Sequence, residues 1–526
     1  MPGRRGIVQV LAVLAAIALG DARSDTSPDE LKARLESMAA DPSASPALTD
    51  LAAVRSFYGA RAFVAAWQGP ACLERLADLS DAIKASDAHG LNSDVYHRSA
   101  LARSKGCSLD TELAATDAWL SLAAHLRGGR TDPVTLEPDW TARRLDMDFA
   151  ARLEQALAED NVRESLLGLA PSQPFYRALK EALVQFRGHA ARGGWPAIDD
   201  GPVLRAGDAG PRVQQLRSRL ARGGLLDPSL AESTDPFDAT LEAAVKTFQL
   251  SANLEPDGIV GAMTLSDLNQ TAADRVAQLR VNLERWRWLP EDLGQKHIRV
   301  NIADFRLEAR AAGAVEREHK VIVGRQYRRT PIFSGEISYL VLNPWWETPR
   351  RLTVQDKLPT FRQDPGAVDR LGFEIVDAQG RKVDPGSIDW ATVTAQTFPF
   401  RLRQAPGPLN ALGQVKIMFP NSHAVYLHDT PTRGLFSRVR RDFSSGCIRV
   451  EDALGLTAWI LNGSPGWDRA RIEKAVASGK ETRVEVPARV PVHLLYLTVV
   501  PGTGNHVRFI DDIYGRDTAV LEALDG

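Results

Sequence analysis

The sequence predicts a multidomain α+β protein, helical in its first half and mostly β in its second. Three observations lead there. From about residue 46 to 270, apolar residues recur at spacings of three and four, the period of a helix with one buried face. From His297 onward they alternate with polar residues, the period of a strand. The chain has 526 residues, enough for three or four domains at about 100–200 residues each.

Residues 1–20 read as an export signal. Arg4 and Arg5 precede an uncharged apolar run from Ile7 to Gly20, and Ala18-Leu19-Gly20 offers a small-x-small cleavage site. An uncleaved run would act as an inner-membrane anchor, although it is short for a spanning helix, which needs about 20 apolar residues. Residues 21–45 are mostly polar and read as a linker, with a helical piece around Leu31 to Met38. The net charge of −2 leaves no domain-wide basic face, which argues against a nucleic-acid partner.

Residues 46–198 read as a helical domain. Leu51, Val54 and Tyr58 form one stripe; Leu73, Leu76, Leu79 and Ile83 form another; Ala114, Ala118, Leu122 and Leu126 form a third. Gly90 ends one helix and Gly193-Gly194 ends the block. The cysteines are three: Cys72, Cys107 and Cys447. In an oxidising compartment an odd count leaves one thiol free. Cys72 and Cys107 share this domain and are the expected pair; the other possibility is that all three are reduced.

Residues 201–270 form a compact module. Val213, Leu216 and Leu220 make one helix face, and Leu241, Val245 and Phe248 another. Asp257-Gly258 and Gly261 make a turn before a helix near Thr264. The segment closely resembles the three-helix peptidoglycan-binding domain; most of its marked residues are core or turn positions, so no binding residue is assigned. Residues 271–296 read as a connecting helix stopped by Pro290, with Trp286 and Trp288 as docking residues.

Ile298, Val300 and Ile302 open the β region, with further strands at Val321/Val323, Tyr339/Val341 and Val415/Ile417/Phe419. The organising stretch is Tyr426 to Val450. Val425 and Leu427 alternate with Tyr426 and His428, so the last two share one strand face. Ser444-Ser445-Gly446-Cys447 follows as a small-residue turn, with Cys447 19 positions after His428. Arginines 433, 438, 440, 441 and 449 crowd the segment. These residue types suit thiol catalysis. Nearby positive charge lowers a thiol pKa. A histidine takes the proton and returns it to a leaving amine. Backbone N–H groups around Ser445, Gly446 and Cys447 would form an oxyanion hole, worth about 3 kcal/mol per donor. The bland alternative is a buried cysteine, an unrelated histidine and a solvated arginine loop. No spaced His/Glu or Cys/His metal-ligand set is present, and no cofactor is implied.

The ordered pattern resembles the L,D-transpeptidase (YkuD-type) catalytic motif: a histidine, an interval of this length, then Ser444-Ser445-Gly446-Cys447-Ile448-Arg449. Ser445 stands where the common motif has a second histidine, as in the large proteobacterial members. His423, after Pro420-Asn421-Ser422, reads as a surface residue. The resemblance implies a catalytic domain over 297–490, a capping subdomain or lid over 350–404, a C-terminal segment 491–526, and a helical scaffold domain for residues 46–198. Asn343-Pro344-Trp345-Trp346-Glu347-Thr348-Pro349 is similar to the family's cleft-lining region, so Trp345 or Trp346 would hold a stem peptide or pack in the core.

The resemblance further implies 3→3 cross-linking of peptidoglycan in the periplasm. Cys447 would be the nucleophile, His428 the general acid/base, Ser445 and Gly446 oxyanion donors, and Tyr426 and Arg449 substrate contacts. Donor tetrapeptide and acceptor stems would be the partners, with D-alanine released, and carbapenem-type inhibitors would acylate Cys447. Other wall-synthesis proteins stay unidentified. The rival functions are an L,D-carboxypeptidase or endopeptidase using the same thiol, and a non-catalytic wall-binding scaffold.

Overall fold

The computed structural model describes residues 26–41, 46–142, 147–502 and 506–526. The export-signal reading and the two ends of the linker, residues 21–25 and 42–45, therefore lie outside the described residues. Within the linker range the helix Pro28–Ala40 is present, opened by a capping box in which Ser27 and Glu30 serve each other's backbone N–H.

Two compact units divide the chain. The first comprises residues 1–83, 94–121 and 148–165, and the second 84–93, 122–147 and 166–526. In the first unit the stripe residues Val54 and Tyr58 are fully buried, as is Trp67. They surround a buried acid, Glu112, which accepts from the Tyr58 hydroxyl (2.8 Å) and from the Ala66 and Trp67 N–H groups. Burial raises the Glu112 pKa. Cys72 and Cys107 form a disulfide, leaving Cys447 as the free thiol. It closes a loop of 35 residues and contributes about 4 kcal/mol by the chain-entropy estimate.

The helical region expected as one scaffold from 46 to 198 is thus shared between units. Its last helix, Pro174–Ala191, belongs to the second, because Tyr176, Leu179 and Leu183 share a core with Leu279, Leu283 and Trp286 of the connecting helix Ala272–Trp288. Within that core Glu284 and Arg287 form a wholly buried ion pair at 2.6 Å. Thr131 donates to Glu284, and Arg287 donates to the His89 carbonyl and the Tyr176 hydroxyl, so neither charge is left unsatisfied. Trp286 and Trp288 are 3% and 2% exposed, which makes them packing residues.

The three-helix module contains Pro211–Arg222, Ala239–Ser251 and Ala262–Leu268 around its own core of Val213, Leu216, Leu220, Leu241, Val245 and Phe248. Gln249 pins the turn before the third helix. It donates to Asp257 and the Ile259 carbonyl, and accepts from Gly258 N. Gly258 needs to be glycine: its φ is +77°, and a Cβ there would sit 2.7 Å from Glu242.

A closed eight-stranded barrel follows. Its strands are β1 (Lys296–Asn301), β2 (Arg306–Ala311), β3 (Ala314–Ile322) and β4 (Phe333–Leu342), with four more after a small inserted sheet. The insert supplies β5 (Trp346–Glu347), β6 (Phe373–Val376), β7 (Lys382–Val383) and β8 (Arg401–Gln404), ordered β5-β8-β6-β7. The chain then returns as β9 (Val415–Met418), β10 (Leu427–His428), β11 (Ile448–Val450) and β12 (Thr482–Leu495). Around the barrel the order is β1-β12-β4-β9-β10-β11-β3-β2. β12 pairs with both β1 and β4, so the barrel continues past residue 490, where the sequence reading ends the domain. A hairpin of β13 (Val499–Pro501) and β14 (Val507–Phe509) and a helix Asp517–Asp525 complete the chain.

The insert has its own core, including Leu358, Phe361, Phe373, Ile375, Trp390 and Leu402. The sequence reading saw the strand signal lapse there. The strands are two to four residues long, too short for alternation to register. The sheet also begins at Trp346, ahead of residue 350.

Candidate active site

Strand register assembles the site. β10 runs parallel to β11, with Leu427 opposite Ile448 and His428 opposite Arg449. It runs antiparallel to β9, with His428 opposite Lys416. Side chains alternate along a strand, so Lys416, His428 and Arg449 form one row on one face. Two positions earlier along both strands, and so on the same face, Tyr426 stands beside Cys447. Both apolar neighbours, Leu427 and Ile448, turn the other way and are fully buried.

The loop before β11 is held from several sides. Ser444 N donates to the Val323 carbonyl (2.8 Å), and the Ser444 hydroxyl donates to the Cys447 carbonyl (2.6 Å). Gly446 has φ +120°, a conformation open to glycine but strained for other residues. Its N–H donates to Ser444 Oγ at 3.1 Å, so it is not a free oxyanion donor as the sequence suggested. The N–H groups of Ser445 and Cys447 have no acceptor among the described residues. Thr330 Oγ1 donates to the Gly446 carbonyl (2.9 Å). The Tyr514 hydroxyl donates to the Gly324 carbonyl (2.5 Å) and accepts from Thr330 N (3.2 Å).

His428 is 5% exposed. Burial pushes its pKa down to about 3, and the charges of Arg449 and Lys416 push the same way; the Asp429 carbonyl opposes them. The ring is therefore neutral at pH 7. Its Nδ1 lies 2.5 Å from that carbonyl. A carbonyl only accepts, so Nδ1 carries the proton and Nε2 keeps its lone pair, the tautomer a general base needs.

Burial raises the Cys447 thiol above its ordinary value. The Tyr426 N–H and hydroxyl, with Lys416 and Arg449, pull it back without reversing it. The expectation that crowding arginines would lower this pKa is thus corrected. Arg433 pairs with Asp429, Arg440 with Asp442, and Arg441 donates to backbone carbonyls; of the five, Arg449 is the one that acts on the thiol. In the resting state Cys447 Sγ donates to the Ala424 carbonyl at 3.8 Å and makes no hydrogen bond with His428. Tyr426 is buried enough to stay a phenol, since burial and a thiolate next to it both raise its pKa. It can therefore donate to the sulfur. Its ring lies 5.6 Å from that of His428.

Trp346 is beside the Tyr426 hydroxyl and packs on Phe373 of the cap (5.9 Å). Trp345 instead stacks under Arg403 at 4.6 Å and does not join the site. Arg449 Nη1 donates weakly to Thr432 (3.4 Å), and its buried Nε has no partner. His423, expected at the surface, is partly covered. It packs on Phe333 (5.0 Å) and lies 3.6 Å from Asp139.

Three site residues escaped the sequence reading. Lys416 sits on a strand that was recognised, but its partner across the sheet was not. Its ammonium is 4.2 Å from the Tyr426 ring centre. Tyr514 lies 67 residues beyond Cys447 and supports the loop. Arg328 bridges the cap to the loop: it binds both Asp356 oxygens at 2.6 Å and reaches Ser445 Oγ at 3.0 Å. Nothing local in the sequence pairs these positions.

Comparison with known families matches residues 52–183 to a scaffold domain, 209–268 to a "Putative peptidoglycan binding domain" and 295–482 to the L,D-transpeptidase catalytic domain. A "Putative L,D-transpeptidase" of Haemophilus influenzae is 41% identical over 243 residues, 46% of this chain and 48% of that protein. The chain thus spans about half the length of that relative. The N-acetylmuramoyl-L-alanine amidase CwlM of Mycobacterium tuberculosis is 36% identical over 84 residues, 15% of this chain and 21% of that one. The crystal structure of the L,D-transpeptidase (residues 123-326) from Xylanimonas cellulosilytica covers 56% of this chain and 99% of its own at 17% identity. Its TM-score of 0.18 is too low to compare folds. The chain carries an L,D-transpeptidase catalytic domain, with a scaffold domain and a peptidoglycan-binding domain ahead of it.

Proposed function

We propose that this chain is an exported L,D-transpeptidase that forms 3→3 peptidoglycan cross-links through a thioester on Cys447. The observation that carries the reading is the shared sheet face of Cys447, Tyr426, His428 and Lys416, with a neutral His428 whose Nε2 is the free base.

The reaction runs as two acyl transfers. Cys447 leaves the Ala424 carbonyl, and Nε2 of His428 takes its proton as the sulfur attacks the carbonyl of the donor stem's third residue. The N–H groups of Ser445 and Cys447 hold the oxyanion, each worth about 3 kcal/mol. The C–N bond to the terminal D-alanine breaks, and His428 returns its proton to that amine. The side-chain amine of an acceptor stem then attacks the thioester. His428 takes its proton, the C–S bond breaks, and the thiol is restored as the new amide forms. Tyr426 steadies the negative charge on the sulfur as it attacks and again as it leaves, while Lys416 and Arg449 keep the imidazole from being protonated by solvent.

Water, at about 55 M, competes with the acceptor amine, and a closed dry site favours aminolysis. The cap, tied to the catalytic loop through Arg328, supplies that closure. Carbapenems fit the same site because a strained lactam carbonyl replaces the donor amide. Export to the periplasm rests on the apolar run from Ile7 to Gly20. The test is incubation with a disaccharide–tetrapeptide and analysis of its products. Cross-linked dimers and free D-alanine, both absent with Cys447→Ala, support the proposal. Tripeptide alone, with acceptor present, would make the enzyme a hydrolase.

A further inference from the structure

The second unit holds an open cleft of about 900 Å³ that the catalytic site does not use. That volume falls within the range of small-ligand sites, about 300–1,000 Å³. Four elements line it: the helix Pro174–Ala191, the three-helix module, the start of the connecting helix at Arg275, and the β13–β14 hairpin. None of its lining residues comes from the cap or from β9–β11.

Its floor is aromatic. Phe186 meets Phe509 edge-on at 4.9 Å and Trp195 at 6.1 Å. Leu250, 61% exposed, adds an apolar wall. Its charge is cationic and partly unspent. Arg275 is tied to Asp267 (2.8 Å), and Arg508 faces Asp304 (3.5 Å). Arg219 feels the charge of Asp267 without forming an ion pair, and Arg222 forms none among the described residues. Glu181 is the remaining acid on the lining.

Arg219 is the informative residue. It is 6% exposed, and its Nε donates to the Leu268 carbonyl at 2.7 Å. The guanidinium stacks on Trp195 at 4.2 Å from the ring centre. Its two terminal nitrogens have no hydrogen-bond partner among the described residues, yet they are not sealed in as Nε groups elsewhere are. Burial lowers its pKa to about 10, so it stays a cation at neutral pH. A buried, pre-oriented guanidinium with two open donors at a cleft wall matches a carboxylate. Aromatic faces beside it match the apolar faces of sugar rings.

We infer that this cleft is an accessory binding site for a carboxylate-bearing segment of peptidoglycan, with amino-sugar rings against Phe186 and Phe509 and a stem carboxylate on Arg219 and Arg222. The inference rests on the wall-directed reading of the chain but not on the chemistry at Cys447. It keeps the carboxylate contacts, Arg219 and Arg222, within the module matched to a peptidoglycan-binding domain and adds ring contacts, Phe186 and Phe509, on a helix and a hairpin outside it.

The test uses the full chain with Cys447→Ala, which blocks turnover, and calorimetric titration with a soluble disaccharide–tripeptide. The same fragment with its carboxylates amidated is the second ligand. Arg222→Glu, at an exposed position, and Phe186→Ala are the variants, with thermal unfolding as the folding control. The expected result is affinity at least about tenfold weaker in Arg222→Glu and for the amidated fragment, the scale of one charge-assisted hydrogen bond. A fragment held only beside position 447 would bind parent and Arg222→Glu equally, and that equality in a folded variant overturns the inference. Equal affinity for the free and amidated fragments overturns it as well. Failure of the enzymatic reading shows separately, as no acylation of Cys447 in the wild-type chain.

Discussion

Replacing Tyr426 with Phe tests how the thiol is activated. The Tyr426 hydroxyl is the side-chain donor to Cys447 sulfur, in a site where burial otherwise raises the thiol pKa. A hydrogen bond to a charged group contributes about 1.5–3 kcal/mol. At 1.36 kcal/mol per pKa unit, its loss raises the thiol pKa by about one to two units. Below that pKa, the thiolate fraction falls about 10- to 150-fold. A more basic thiolate is also more nucleophilic, with a Brønsted slope of about 0.4–0.5. Roughly half of the logarithmic loss is recovered, so the net slowing is about 4- to 16-fold. The assay is alkylation by iodoacetamide followed by intact mass. The disulfide keeps Cys72 and Cys107 out of reaction, so one label reports Cys447. In the wild-type protein the rate rises with pH beyond the ordinary thiol value of about 8.5, and in Tyr426→Phe the midpoint moves higher still. Unchanged midpoints would refute the role of the hydroxyl. A wild-type plateau near pH 6 would refute the account of a neutral resting pair, since it would mean a thiolate–imidazolium couple.

Other perturbations follow from the same geometry. Lys416→Met removes a charge that lowers the thiol pKa and also holds His428 neutral; alkylation at pH 7 slows, and the His428 titration, followed by NMR, moves up from about 3. His428 and His89, held near 3 and 2 by burial, favour the fold only while neutral. Their contribution is complete above about pH 6.5 and is lost as pH falls toward their folded values. At pH 5.5 each costs about 1.4 kcal/mol, so chemical denaturation loses about 3 kcal/mol relative to pH 7.5, and less in His428→Gln. Arg328→Met cuts the tie between Asp356 and Ser445; the ratio of hydrolysed to cross-linked product rises, and an unchanged ratio would separate the cap from water exclusion. Reduction of Cys72–Cys107 costs the first unit about 4 kcal/mol, read as an earlier unfolding transition.

Much of the architecture was legible because long elements carry their period. Leu51, Val54 and Tyr58 announce a helix, and Ile298, Val300 and Ile302 a strand. The cap sheet was not, since strands of two to four residues hold too few alternations. Nor was the division of the helical region, because helical spacing reports which face is buried and not what buries it; Tyr176, Leu179 and Leu183 find their partners a hundred residues later. At the site, the order of His428 and Cys447 was visible along one stretch. Lys416, Arg328 and Tyr514 were not, because they arrive through barrel closure and the returning C-terminal segment. The electrostatic balance was misjudged for the same reason. Counting arginines near Cys447 gives their number, while their effect depends on Asp429, Asp442 and the carbonyls that engage most of them.

The central claim is that one half-buried thiol, Cys447, accepts the acyl group of a wall peptide. Intact-protein mass spectrometry after mixing with a disaccharide–tetrapeptide, quenched within one turnover, tests it most directly. The account predicts a mass increase equal to the donor less one alanine, located on the peptide containing Cys447 and missing in Cys447→Ala. An unmodified protein that nonetheless releases D-alanine, or an adduct that survives the Cys447→Ala change, would contradict it.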